Sequence, residues 1–112
     1  MKEEKDLRDL YQKLIDHYLE TGLVNQIDTF SHFASVNPEC SFLLNTETQG
    51  LCQLSKRYVL INDRSPIQEQ IFTLLHEVGH LASGSDEAAA DKTALILCQT
   101  IEAVTGLSIR AA

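Results

Sequence analysis

The chain has 112 residues, 44% of them hydrophobic, with nine basic and sixteen acidic side chains and a formal charge of −7. That suffices for one small domain over residues 1–112 with a modest core, and it lacks the basic stripe of a duplex-binding protein, so direct nucleic-acid binding is not expected. No apolar run nears the roughly 20 residues of a membrane span, and the charged start MKEEKDLRDL is unlike a secretory signal, so a cytoplasmic protein is expected.

From about Lys2 to Glu20, Leu7, Leu10, Leu14 and Tyr18, with Tyr11 and Ile15 beside them, fall on one helical face. Gly22 follows as a candidate C-cap. The spacing of Ile27, Phe30 and Phe33 predicts a second short helix between Leu23 and Val36, ended by Asn37-Pro38. Three short apolar stretches come next: CSFLLN, GLCQLS and RYVLIND, joined by TETQG and SK. They read as a small antiparallel sheet with hairpin-length connections, RYVLIND being the clearest strand. Cys40, Cys52 and Cys98 form no C-x-x-C pair and are expected to be buried thiols rather than zinc ligands or a disulfide framework.

Ser65-Pro66-Ile67-Gln68 has the form of a capping box with proline at the first helical position, predicting a helix from Pro66 to about Ala82 with Gly84 near its end. Ser85 is positioned to cap a further helix, with Asp86 and Glu87 in its first turn. Ala90, Ala94, Leu97, Ile101 and Val104 make that helix's apolar stripe, and Gly106 ends it. The fold class expected is α+β.

The first of these helices carries His76, Glu77 and His80 in the order H-E-x-x-H. Residues four apart on a helix face the same way, so His76 and His80 can offer imidazole nitrogens to one ion, and Zn2+ suits that donor type. Glu77, one position round from His76, can reach the ion's open side and take a proton from the attacking water as general base. A helix with two surface histidines would satisfy the bare spacing. The apolar IFTLL before the motif and the strand before that favour a buried active-site helix instead, and Gly79 is expected to leave room for close backbone approach beside the ion.

A catalytic zinc needs a third protein ligand. Glu87 and Asp86 compete for that place. Glu87 is favoured because Asp91 lies four residues on, along the same face, where it can fix the tautomer of a ligating histidine. Asp86 stands six residues after His80, the ligand spacing of another metallopeptidase pattern, but that pattern wants glycine where this chain has Ser83. His17 and His32 are given no role.

The stretch YVLINDRSPIQEQIFTLLHEVGHL resembles the core of the ImmA/IrrE-like zinc metallopeptidases, and Glu87, Ala90, Asp91 and Ala94 match the family's E-x-x-A-D-x-x-A. The resemblance covers about Gly50 to Leu97. It implies a small zincin-like domain: N-terminal helices, a short antiparallel sheet, the HExxH helix and a third-ligand helix. It implies His76, His80 and Glu87 as zinc ligands, Glu77 as catalytic base, and RYVLIND beside the cleft, where a substrate strand could add to a sheet edge. It also implies a protein substrate, a DNA-binding helix-turn-helix repressor of a phage or mobile element, whose cleavage derepresses transcription. The rival expectation is a catalytically inactive metal-binding module that sequesters a regulator.

Overall fold

The structure, a computed structural model, describes residues 2–110. Its regular elements are helix α1 (Lys2–Glu20), strand β1 (Gln26–Thr29), helix α2 (Phe30–Val36), strand β2 (Gly50–Gln53), strand β3 (Tyr58–Ile61), and helices α3 (Ile67–Ser83) and α4 (Glu87–Thr105). Two 3-10 segments, Pro38–Asn45 and Leu54–Lys56, lie between α2 and β3. The architecture is α+β, as the sequence predicts. Among the described residues no helix is long and apolar enough to cross a membrane.

The sheet is not purely antiparallel. Its order is β1-β3-β2, with β1 parallel to β3 and β2 antiparallel to it. The expected hairpin of GLCQLS with RYVLIND is present as β2 and β3, in the register Gly50 opposite Ile61 and Gln53 opposite Tyr58. The third strand is not CSFLLN but the segment around Ile27, Gln26–Thr29, where the spacing predicts a helix. Phe30 and Phe33 do lie on a helix, α2, which starts only after Thr29 accepts a hydrogen bond from the His32 N–H at 3.1 Å. CSFLLN is instead a kinked 3-10 segment. Phe42 is 65% exposed and Leu43 only 4%, so the run has one buried anchor and no strand-like alternation.

Val59 and Ile61 point into the main core and Leu60 into a smaller one with Phe30 and Leu43, which is the alternation that RYVLIND predicts. The main core joins Leu7 and Tyr18 of α1 to Ile67, Ile71, Leu74, Leu75 and Val78 of α3, and to Ala94 and Cys98 of α4. Leu10, Tyr11, Leu14 and Ile15 pack against it, so the α1 stripe lies where its spacing puts it. Val104 does not belong to the α4 stripe; it is 82% exposed, and the buried residues are Ala90, Ala94 and Cys98. Only Cys98 of the three cysteines is fully buried; Cys40 and Cys52 are half-buried, and all three are free.

Both helix starts differ from expectation by a residue or two. The Ser65 hydroxyl donates to Gln49 Oε1 at 2.6 Å, and the Gln68 amide donates to the Ser108 carbonyl at 3.1 Å, so the capping box does not close. The buried Gln70 amide holds the loop instead, donating to the carbonyls of Ser65 and Asp63. At α4 the N-cap is Asp86 rather than Ser85. Gly84 ends α3 at φ 83°, a conformation that glycine adopts without a Cβ penalty, and its N–H reaches the His80 carbonyl.

Candidate active site

The site forms where α3 and α4 meet, and Gly79 sets how closely they do so. A Cβ at Gly79 would lie 2.8 Å from the Ala90 carbonyl oxygen and 3.0 Å from its Cα. Glycine therefore serves the contact between helices, rather than making room beside an ion. This close approach brings Glu87, in the first turn of α4, over the two histidines of α3.

His80 Nε2 lies 3.1 Å from His76 Nε2 and 3.0 Å from Glu87 Oε1, and His76 Nε2 is 3.1 Å from Glu87 Oε2. The opposite ring nitrogens are occupied. His76 Nδ1–H donates to Asp91 Oδ1 at 2.8 Å, and His80 Nδ1–H donates to the Gly84 carbonyl at 2.8 Å. A carboxylate and a carbonyl can only accept, so they fix the Nδ1–H tautomer on both rings. In neutral rings both Nε2 atoms then present lone pairs, towards each other and towards a carboxylate that has only lone pairs to offer. Such a convergence of acceptors needs protons or a cation between them, and two imidazoles with one carboxylate are the donor set of a divalent transition metal. The residues fit a metal ion, and His76, His80 and Glu87 could hold one.

Burial opposes charge on His80, but the Gly84 carbonyl and the carboxylates of Glu77 and Glu87 outweigh it and hold its pKa above the ordinary histidine value. Glu77 is buried beside this cluster. Burial raises its pKa above the usual carboxylate range, against the pull of both histidines and with the push of Glu87. It shares the lining of two small clefts with Glu87, one running past Leu51 and Leu54, the other past Phe72 and Thr73.

Asp86 is no part of this cluster. Its carboxylate accepts from the Ala89 N–H at 3.2 Å, capping α4, while Glu87 one residue later faces the histidines. His32 is elsewhere, paired with Asp28 at 2.9 Å, and His17 stacks edge-on against Tyr18. The sequence reading missed Cys52 and Gly50. The Cys52 thiol, pushed up to about 11 by burial and by the Glu77 carboxylate, sits directly beside that carboxylate. A Cβ at Gly50 would collide with the Thr73 side chain and stand 3.6 Å from Glu77 Oε1, so glycine lets β2 run close along the site. The strand beside the cleft is thus β2, an edge strand, whereas RYVLIND is β3 in the middle of the sheet.

The model of one peptidase family, Peptidase_M78, described as the IrrE N-terminal-like domain, matches residues 39–99, more than half of the chain and every residue of the cluster. The chain belongs to the IrrE N-terminal-like domain family. The comparisons with curated proteins and with solved structures gave no match. Peptidases of the IrrE N-terminal-like family depend on a metal, and this chain carries their metallopeptidase-like domain. The matched region holds β2, β3, α3 and the part of α4 that bears Glu87 and Asp91, so the family's signature is the half of the chain that builds the site.

Proposed function

We propose that the chain is a zinc-dependent endopeptidase, with His76, His80 and Glu87 as zinc ligands, Glu77 as general base and Asp91 as the residue that orients His76. The observation that carries this reading is the convergence of two Nε2 lone pairs and a carboxylate next to a buried glutamate. A site that only held an ion for structural reasons would have no use for that glutamate. Bound zinc would act as a Lewis acid on the scissile carbonyl.

The chain's own residues do the rest. Glu77, whose burial makes it a stronger proton acceptor than an exposed carboxylate, takes a proton from the attacking water and returns it to the leaving amine. Asp91 and the Gly84 carbonyl keep the two imidazoles in the ligating tautomer throughout. The free edge of β2 can pair with an extended substrate and bring its scissile bond beside Glu77.

The substrate we propose is a helix-turn-helix repressor of a phage or mobile element, met in the cytoplasm, whose cleavage releases its genes. The formal charge of −7 suits a basic DNA-binding partner. The test is incubation of the zinc-supplied chain with purified repressors encoded beside its own gene, with fragments identified by mass spectrometry. The reading expects one discrete cut, abolished in Glu77→Gln while zinc stays bound. Cleavage by Glu77→Gln at the wild-type rate would overturn it.

A further inference from the structure

The cleft beside Glu77 adjoins a second cavity. A cavity of about 350 Å³ is lined by His76, Glu77 and Glu87 at one end and by Phe72, Thr73 and Gln49 at the other. Those last three residues also line a second cavity, of about 510 Å³, which continues to Pro66, Glu69 and Ile109. The two spaces therefore adjoin at these three residues.

Helix α3 sets their alignment. Glu69, Phe72, Thr73 and His76 stand at i, i+3, i+4 and i+7, on one face. Seven residues of helix advance about 10 Å, the length of about three residues of extended peptide. A peptide paired along β2 with its scissile bond at Glu77 would thus place a side chain two or three residues away beside the second cavity.

The chemistry of the wall says which side chain. Phe72, Pro66 and Ile109 give an apolar surface, with Ile109 only 1% exposed at its base. Three of the polar neighbours are already engaged. The Gln68 amide donates to the Ser108 carbonyl, Gln49 Oε1 accepts from the Ser65 hydroxyl, and the Arg110 guanidinium donates to Glu102 at 2.9 Å. An incoming polar group would lose water and find these three side chains already partnered, whereas an apolar one meets a mostly apolar wall and loses nothing by leaving water. The exposed Glu69 carboxylate at the rim disfavours an acidic side chain.

We propose that this second cavity is a specificity subsite, taking a large apolar side chain such as Leu, Met or Phe, two or three residues from the scissile bond of an extended substrate. This rests on the peptidase reading of the same site.

Two experiments separate the subsite from that reading. In the first, the zinc-supplied Glu77→Gln full chain is titrated by amide NMR with blocked pentapeptides, Ala-Ala-Leu-Ala-Ala and Ala-Ala-Phe-Ala-Ala, against the all-alanine peptide. The Leu and Phe peptides should bind about tenfold tighter, with shifts centred on Phe72, Thr73 and Ile109. Glu69→Trp, an exposed position whose indole would fill the mouth, should remove the difference. Equal binding of the three peptides, or a preference unchanged by Glu69→Trp, overturns the subsite. In the second, the zinc-supplied wild type is given a mixture of random decapeptides and the cuts are mapped by mass spectrometry. Cuts enriched in Leu, Met or Phe two or three residues from the broken bond support the subsite. Cuts with no such enrichment overturn it and leave the peptidase reading standing. Selective binding without any cut overturns the peptidase reading, and with it the subsite's role in cleavage.

Discussion

Gly79→Ala is the substitution in which two physical effects oppose each other most directly. Alanine in a helix interior is favoured over glycine by about 1 kcal/mol, so propensity alone predicts a gain in stability. The added Cβ, however, would meet Ala90 backbone atoms at 2.8, 3.0 and 3.3 Å. These are main-chain atoms of α4 and cannot swing aside, so α4 must retreat by about half an ångström to restore ordinary contact, an overpacking that costs about 1–3 kcal/mol. The net expectation is a loss of about 1 kcal/mol in the metal-free protein, read by urea unfolding followed by circular dichroism. A second loss should appear with zinc present, because α4 carries Glu87 and its retreat pulls the carboxylate from His76 and His80. The zinc-dependent gain in stability, which reports affinity by linkage, should therefore shrink. Gly79→Ala protein as stable as wild type, with the full zinc-dependent gain, would refute the claim that this glycine sets the helix spacing.

Asp86→Ala should cost about 1 kcal/mol through loss of the α4 cap, measured by the same unfolding, while leaving zinc affinity nearly intact. Asp91→Ala should weaken zinc about 10–100-fold in competition with a chelator, because His76 Nδ1–H loses the acceptor that fixes its tautomer. The pH dependence follows from two raised values. His80 and Glu77 both bind protons more tightly in the folded protein than in the unfolded one. The stability they contribute is therefore full below their ordinary values and lost as pH rises through the raised ones. Metal-free protein should accordingly be less stable above the raised His80 value than near pH 5 (roughly midway between the ordinary Glu and His pKa values), and zinc affinity should run the other way, falling as the medium is acidified and protons take the Nε2 positions.

The parts of this fold that sequence reveals are those whose signal is local and long. The α1 stripe from Leu7 to Tyr18 and the α3 pattern through His80 extend over several turns, so period and burial agree. The strand around Ile27 is only four residues long, and its partner β3 lies about thirty positions away. Nothing local announces a parallel pairing at that distance, and Ile27, Phe30 and Phe33 at three-residue steps imitate a helix. In Phe42-Leu43-Leu44 the composition suggests a strand, but Pro38 starts a tight 3-10 turn and only Leu43 finds a core to enter. At the site, spacing on one helix suffices for His76, Glu77 and His80. Between the two acidic neighbours, Asp86 caps α4 with its carboxylate turned to the backbone, while Glu87 faces the histidines. Cys52 and Gly50 reach Glu77 only through the packing of β2 on α3, a contact that no spacing within the chain encodes.

The central claim is that His76, His80 and Glu87 hold one zinc ion, and metal content by elemental analysis of wild type, Glu87→Ala and Asp86→Ala tests it most directly. The account predicts about one zinc per chain in wild type and in Asp86→Ala, and loss of zinc in Glu87→Ala. Zinc retained without Glu87, or none bound by wild type after zinc is supplied, would contradict it.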